Sequence, residues 1–385
     1  MTERALALPA APRDGTQPDP GIAVARLLAA GVRRALLEHA PLAVLVGAYV
    51  AAGLVAWRLL GIGMMSPERG NELTVTLYDA ALTGGGLLLL AQMVRWALRE
   101  RARGGLRSPA TWEAMEAGPV SVQRTVAAAA ALLLYGVFFE WFVAFKRSIP
   151  LVHAFSLDRA LADADRWLHG GHDPWALLQP LLGHPRLTEA VQVAYTAGWF
   201  GLIFVGTVLM AWHPDRRLRA RFFLATIGCW VVLGTVMAAL LSSAGPCYYE
   251  LVTGDARFRP MVEYLAGVDA GVGFSAAEVQ RILWSDFATG DPGGYGVSAM
   301  PSLHVAIAVL FALAGWRVHR ALGAALWAYA ALVLVGSVHL GWHYALDGYA
   351  AVAGAVAVWW AAGRVVEWYG RRTGVFGGAP APAES

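Results

Sequence analysis

The sequence predicts an all-α fold: a polytopic membrane helix bundle of about eight transmembrane helices, with interfacial helices on the extracytoplasmic side. Three observations lead to this prediction. Of the 385 residues, 57% are hydrophobic and 15% are charged, whereas charged residues make up roughly 25% of a soluble domain. Mean hydropathy is +0.50, and a water-soluble protein of this size cannot bury so much apolar surface. The 16 tryptophans suit a chain with two membrane–water interfaces, where indole rings collect.

Eight apolar stretches are long enough to cross a bilayer core about 30 Å thick, which takes roughly 20 helical residues. They lie at about 40–60, 75–98, 122–145, 189–212, 221–242, 301–316, 321–340 and 343–363. Residues 1–20 are rich in Pro, Ala and Asp and predict a disordered cytoplasmic tail, and residues 373–385 predict another. Residues 21–372 are therefore expected to form a single membrane domain.

Arginine clusters orient these spans. The clusters are Arg26, Arg33 and Arg34; Arg95, Arg99, Arg101, Arg103 and Arg107; Arg216, Arg217, Arg219 and Arg221; Arg317 and Arg320; and Arg364, Arg371 and Arg372. With eight spans all five clusters fall on one side, which the positive-inside rule assigns to the cytoplasm. We therefore expect a multi-pass protein of the cell (inner or plasma) membrane with both termini in the cytoplasm.

The opposite face carries two long connections, residues 146–188 and 243–300. In the first, residues 157–168 place apolar side chains at helical spacing, and Asp173 followed by Pro174 is the start signal of a second short helix. Both helices are too short and too polar to span, so an interfacial position is expected. A site that binds a ligand is expected on this extracytoplasmic face.

The sixth span opens with an anion-binding pattern. Pro301 at its first position leaves the N–H groups of Ser302, Leu303 and His304 without intrahelical partners, at the positive end of a helix. His304 stands beside these donors, which suit a phosphate group.

A second polar group opens the eighth span. If this segment is helical, His343 and Asp347 are i,i+4 and share a face. The carboxylate can then hold one ring nitrogen and leave the other free as a nucleophile or base. Together with His304 and the oriented helix N-terminus, these residues are the parts required for phosphoryl transfer through a phosphohistidine.

These residues resemble a known family. Pro301-Ser-Leu-His304 and His343-x3-Asp347, whose histidines are 39 residues apart, are similar to the second and third signatures of the type 2 phosphatidic acid phosphatase (PAP2) superfamily. Ser243–Tyr249 and Ala299–Ala306 resemble its inositolphosphorylceramide-synthase-like branch, and the likeness spans about residues 135–365. The resemblance implies a lipid phosphatase or phosphotransferase. Its catalytic residues are then His343 as nucleophile, Asp347 as its orienting partner and His304 as acid.

The sequence departs from the family pattern at several positions. Leu303 replaces the usual glycine, Ser337 stands where the third signature has Arg, and the first signature is absent. Lys146 and Arg147 are the nearest replacement by position and charge. Phosphate binding is therefore assigned to Lys146, Arg147, Ser302 and Leu303, and lining of the site to Ser243, Tyr248, Tyr249 and His339. Arg257 and Arg259 are alternative cations.

Other functions stay open at this point. His339, His343 and Asp347 at i, i+4 and i+8 have a spacing that can ligate a metal. The sequence nevertheless lacks a second carboxylate cluster for Mg²⁺, so no metal or cofactor is expected. A lipid transporter would place charges near the bilayer midplane. Net charge is only +3 and no basic stripe alternates with aromatics, so no nucleic-acid partner is expected. Within the enzyme reading, the acceptor is water for a lipid phosphate or polyprenyl diphosphate phosphatase, and an alcohol for a phosphotransferase.

Overall fold

The computed structural model describes residues 20–60, 121–268, 275–289 and 296–377, which form helices joined by turns, without a strand among them. The all-α prediction is confirmed over this part of the chain. The predicted span at 75–98 lies outside the described residues, as do residues 1–19 of the predicted N-terminal tail and residues 378–385 of the C-terminal one.

Long helices and short ones follow each other along the chain. The α-helices are α1 (Pro20–Glu38), α2 (Ala40–Leu60), α3 (Val122–Val152), α4 (Asp158–Leu168), α5 (Pro174–Leu182), α6 (Pro185–Val193), α7 (Trp199–Ala211), α8 (Arg216–Val231), α9 (Ala238–Leu240), α10 (Tyr249–Thr253), α11 (Arg259–Ala266), α12 (Ala276–Thr289), α13 (Leu303–Val318), α14 (Arg320–His339) and α15 (Ala345–Thr373). Two π-helical segments, Ala194–Gly198 and Val232–Met237, continue α6 into α7 and α8 into α9.

Five continuous helices are long and apolar enough to cross a membrane: Gln123–Pro150, Pro185–Ala211, Arg216–Leu240, Arg320–His339 and Ala345–Thr373. A sixth span results if Ala29–Glu38 and Ala40–Ala56, which meet at 64°, are counted as one. The apolar helix α13 has 16 residues and is about 24 Å long, less than the roughly 30 Å of a bilayer core. The described residues thus hold five or six candidate spans and one shorter apolar helix, where the sequence predicts seven.

Helix α13 lies at the centre of the bundle. It is apolar on every side, and its residues from Val305 to Ala312 are all buried. It packs against α8, α14 and α15. All-round burial is the expected environment for a helix without a polar face, and it fixes the position of the residues at the start of α13.

The order of the helices places arginines and site residues at opposite ends of the bundle. Arg317 and Arg320 flank the turn between α13 and α14, and Arg371 and Arg372 lie in the last turn of α15. The start of α13 and the turn from His339 to Ala345 lie at the other end, because consecutive helices joined by short turns run in opposite directions.

Candidate active site

His343 and Asp347 meet at the start of α15. His343 lies in the turn before this helix, which begins at Ala345, so the condition that the segment be helical from His343 onward is not met. Their contact nevertheless forms, because Asp347 is in the first turn: His343 Nδ1 lies 3.3 Å from Asp347 Oδ2. The same oxygen accepts the backbone N–H of Tyr344 at 3.0 Å, as part of an N-terminal capping box. Both side chains are buried, and Asp347 is 0% exposed.

The turn that carries His343 is shaped by Ser337. The Ser337 carbonyl accepts the N–H of Trp342 at 2.9 Å and that of His343 at 3.2 Å. The Ser337 hydroxyl donates to the carbonyl of Leu334 at 2.7 Å. Gly245 lies against the same turn, where a Cβ atom would be 2.7 Å from the Trp342 carbonyl oxygen. The residue that stands at the usual arginine position therefore holds the turn through its backbone.

The start of α13 is tied to Asp347. The N–H of Ser302 donates to the Asp347 carbonyl at 3.1 Å, and the Ser302 hydroxyl accepts the N–H of Val305 at 3.5 Å as N-cap. The expectation that the Ser302 N–H is an open donor is therefore wrong. Leu303 and His304 are the first two residues of α13, so their N–H groups lie at the positive helix end without intrahelical acceptors.

Leu303 turns its side chain into the core, where it is 8% exposed. Gly234 of the second π-helical segment faces it: a Cβ atom there would lie 2.6 Å from Leu303 Cδ1 and 3.0 Å from Phe142 Cε2. The missing glycine at 303 is thus matched by a glycine on the helix opposite. Leu303 contributes its backbone to the site and its side chain to packing.

The His304 ring is held between two aromatic rings. Tyr195 stacks on it at 4.6 Å between centroids with planes 11° apart, and Trp199 stacks at 4.0 Å and 26°. The Trp199 indole N–H also donates to the His304 carbonyl at 3.0 Å. His343 and Lys146 lie within electrostatic range of His304. The structure therefore brings together His304, His343, Asp347 and Lys146, which are separated in the sequence.

Lys146 reaches the site from the last third of α3. The segment before α13 packs on its backbone, since a Cβ atom at Gly296 would lie 2.4 Å from the Lys146 carbonyl oxygen. Within the described part of the chain Lys146 has no carboxylate partner. Arg147, the next residue, already interacts with other protein groups.

The alternative cations are engaged elsewhere. Arg257 donates to Asp173 and to Asp163, with the Nη1–Oδ1 distance to Asp163 being 2.7 Å. Arg259 pairs with Glu250. Asp173 is the N-cap residue of α5, as predicted, but its carboxylate binds arginines and does not cap the helix. Burial opposes its ionisation, yet Arg257 and Arg166 outweigh this effect and hold the pKa of Asp173 below its usual value.

Two aspartates of α4 that sequence reasoning missed organise the site. Asp158 accepts the N–H groups of Ala244 and Gly245 at 2.9 Å each, and the Tyr344 hydroxyl at 3.0 Å. Asp165 accepts the first N–H groups of α15, from Ala345 at 2.9 Å and Leu346 at 3.1 Å. Both are buried, and burial raises the pKa of each carboxyl. Their seven-residue spacing on an amphipathic helix was the available signal.

Each of the four residues assigned to lining of the site contacts other protein groups in the structure. Ser243 accepts the N–H of Ala299 at its carbonyl (2.9 Å) and that of Met300 at its hydroxyl (3.2 Å), so it holds the segment before α13. The remaining three contact other groups. Tyr248 donates to the carbonyl of Gln280, Tyr249 packs edge-on against Phe258, and His339 Nε2 lies 2.9 Å from Thr188 Oγ1.

The arrangement does not favour the metal alternative. Helix α14 ends at His339 and α15 begins at Ala345, so His339, His343 and Asp347 are not successive turns of one helix. Over the described ranges, three or more His, Cys, Asp or Glu side chains nowhere converge in a way that could hold a metal ion.

The fold and site define a class: a helical membrane protein with a buried histidine–carboxylate pair and a second histidine at one end of its bundle. The family model of the PAP2 superfamily matches residues 159–361, more than half of the chain, and the chain belongs to this superfamily. Membership supports a phosphatase-type function on lipid phosphates. Neither a curated protein nor a solved structure matches the chain.

Proposed function

We propose that this protein is an enzyme that transfers the phosphoryl-containing group of a membrane lipid through a phosphohistidine on His343. The observation that carries the proposal is the contact of His343 Nδ1 with Asp347 at 3.3 Å. With its proton on Nδ1, the ring has Nε2 free as nucleophile, and the buried carboxylate stabilises the positive charge that develops.

The reaction takes two steps. In the first, His343 Nε2 attacks phosphorus, the bond to the leaving oxygen breaks, and His304 gives that oxygen a proton. Attack and departure occur on opposite sides of phosphorus. In the second, an acceptor hydroxyl attacks phosphorus and gives its proton to His304, which is then protonated again as at the start, the N–P bond breaks, and His343 returns to its starting form. The aromatic rings on both faces of His304 orient it for both proton transfers.

The phosphoryl oxygens are held by the N–H groups of Leu303 and His304 and by Lys146. A helix N-terminus carries about half an elementary charge, and a charge of that size does not balance a phosphoryl group alone. Lys146, without a carboxylate partner among the described residues, supplies the remaining charge. Arg147 and the Ser302 hydroxyl are also assigned to binding of the phosphoryl oxygens.

The acceptor decides between transferase and phosphatase. The Ser243–Tyr249 and Ala299–Ala306 segments, similar to the inositolphosphorylceramide-synthase-like branch, favour an alcohol acceptor and transfer of a head group. Hydrolysis of a lipid phosphate or polyprenyl diphosphate is the alternative. Incubation of lipid labelled at phosphorus, with and without an added lipid alcohol, separates them. Label on the alcohol supports transfer, and label released to water only, as inorganic phosphate or as the phosphorylated head group, supports hydrolysis.

Trapping of the intermediate tests the proposal directly. Brief incubation with lipid labelled at phosphorus, followed by alkaline quench, is expected to label the wild-type protein and not His343→Ala. His304→Ala is expected to label more slowly, because general-acid help is worth about 10²–10⁴-fold in rate. His153→Ala is the control, since this histidine binds the carbonyl of Ala239 instead. Label that survives in His343→Ala refutes the assignment.

We place the site on the extracytoplasmic face of the cell membrane, opposite the arginine-rich turns. Lipid then reaches it sideways with its chains in the bilayer, which avoids about 0.8 kcal/mol per CH₂ exposed to water. A membrane-impermeant thiol reagent applied to intact cells should modify a cysteine at Ala266 and not one at Thr373. Excess EDTA should leave activity unchanged, and loss of activity that zinc restores would support a metal site instead.

A further inference from the structure

One buried hydroxyl beside the two histidines has no hydrogen-bond partner. Tyr195 is 3% exposed, and its Oη is buried without a donor or acceptor in the described ranges. Buried polar groups are nearly always bonded in native proteins, so an exception calls for a ligand or a functional reason. Three other tyrosine hydroxyls near this end of the bundle are bonded: Tyr344 to Asp158, Tyr264 to Thr188 and Tyr248 to Gln280.

The position of this hydroxyl is set by three contacts. The Tyr195 ring is stacked almost parallel on His304, with 4.6 Å between centroids. Asp347 lies within electrostatic range of its hydroxyl. On its other side the ring meets α14 at Gly336, where a Cβ atom would be 3.7 Å from Tyr195 Cδ2. Tyr195 therefore packs against His304 and α14, with Asp347 within electrostatic range of its hydroxyl.

The backbone around Tyr195 is unusual as well. It belongs to the π-helical segment Ala194–Gly198, whose first carbonyl accepts the Tyr329 hydroxyl at 2.8 Å. A π-helical segment inserts an extra residue into a turn and re-aims the side chains that follow, and such segments are frequent at functional sites. Here it aims Tyr195 and Trp199 at His304 from the same helix.

We propose that Tyr195 is a further catalytic residue, whose hydroxyl donates a hydrogen bond to an oxygen of the phosphoryl group between His304 and His343. This inference rests on the proposed function. The hydroxyl keeps its proton, and its bond strengthens as negative charge develops on that oxygen. It contributes, beside Ser337, a neutral donor where the family usually has an arginine. Phenol is a suitable donor because it loses its proton only at about pH 10 in water.

Tyr195→Phe tests the role because it removes the hydroxyl and keeps the ring on His304. The turnover number is expected to fall about 10²-fold, as for loss of one preorganised donor to a developing oxyanion, with little change in KM. Thermal stability in detergent is expected to stay equal or to rise, because an unbonded buried hydroxyl does not stabilise the resting fold. Tyr264→Phe is the matched control: it loses a bonded hydroxyl at the same end of the bundle and should keep wild-type turnover.

Binding of orthovanadate, which mimics the five-coordinate phosphoryl group, separates the two proposals. Stabilisation of the wild type by vanadate that is lost in His343→Ala and weakened about tenfold or more in Tyr195→Phe supports both. Binding that requires His343 and is unchanged in Tyr195→Phe overturns the role of Tyr195 alone. Vanadate binding that is absent, or indifferent to His343, overturns the proposed function together with this inference. Equal turnover numbers in Tyr195→Phe and wild type also overturn the catalytic role of Tyr195.

Discussion

Replacement of Asp165 by alanine is expected to loosen the start of α15, the helix that presents Asp347 to His343. Asp165 lies on α4 and accepts two N–H groups at the N-terminus of α15, at 2.9 and 3.1 Å. In Asp165→Ala these two donors are buried without an acceptor from that side chain. The positive end of the helix dipole also loses one carboxylate and keeps that of Asp347.

The magnitude follows from these contacts. Hydrogen bonds to a charged acceptor are worth about 1.5–3 kcal/mol each, and a charge at a helix N-terminus adds about 0.3–1 kcal/mol. Burial works against the charged form, since it raises the pKa of Asp165, and this offsets part of the sum. We therefore expect Asp165→Ala to lower the free energy of unfolding by about 2–4 kcal/mol.

Asp163→Ala is the matched control on the same helix. The Asp163 side chain is 76% exposed and pairs with Arg257, which Asp173 also binds. Loss of an ion pair with such an exposed partner is expected to cost about 0–1 kcal/mol. Unfolding of each variant in detergent, followed by tryptophan fluorescence, gives the free energies. Phosphohistidine formation, measured well below the unfolding midpoint, should fall in Asp165→Ala and not in Asp163→Ala. Equal stabilities for the two variants would refute the reasoning.

Three further predictions concern packing and pH. Gly245 has φ of +100°, and a Cβ atom there would meet the Trp342 carbonyl at 2.7 Å, so Gly245→Ala should cost about 1–3 kcal/mol and most of the activity. Gly234→Ala should destabilise the wild type by about 1–3 kcal/mol and Leu303→Ala by about 2–5 kcal/mol. In the double variant, the methyl group added at 234 should cost little further stability, because it enters the space that Leu303 leaves. Asp173→Asn should cost stability at neutral pH, and this cost should shrink as the medium is acidified.

The sign of the pH effect follows from the lowered pKa of Asp173. A carboxylate whose pKa is lower in the folded state stabilises the fold fully above the unfolded value, about 3.9. This contribution is lost as pH falls through the lower, folded value. A constant difference between wild type and Asp173→Asn on acidification contradicts the prediction. For Gly234→Ala and Leu303→Ala, stability costs that simply add in the double variant would contradict the predicted coupling. Gly201→Ala is the control for an added methyl group, because a Cβ atom there meets nothing within 4 Å.

Local sequence patterns predicted much of the bundle. Apolar stretches located most of the described long helices, because a helix in lipid must be apolar over a length set by the bilayer. They missed α1, and they ended α3 and α15 too early, since these helices continue to Val152 and Thr373 beyond the predicted ends at 145 and 363. The Pro301–His304 pattern placed an N-terminus at the start of α13, and the pair His343 and Asp347 was found from its four-residue spacing. Even for this pair the geometry differs from the helical spacing, because His343 lies in the turn between α14 and α15, whose N–H groups donate to the Ser337 carbonyl.

The amino-acid sequence by itself predicted the class of fold, the approximate positions of the long helices with their basic clusters, and the pairing of His343 with Asp347. These features depend on residues near one another in the chain, where spacing alone decides which side chains meet. Only the tertiary structure decided that Tyr195 stacks on His304, 109 residues away, and that Asp165 caps a helix 180 residues further on. Such contacts depend on how helices cross and turn, and no periodicity within a single segment records them.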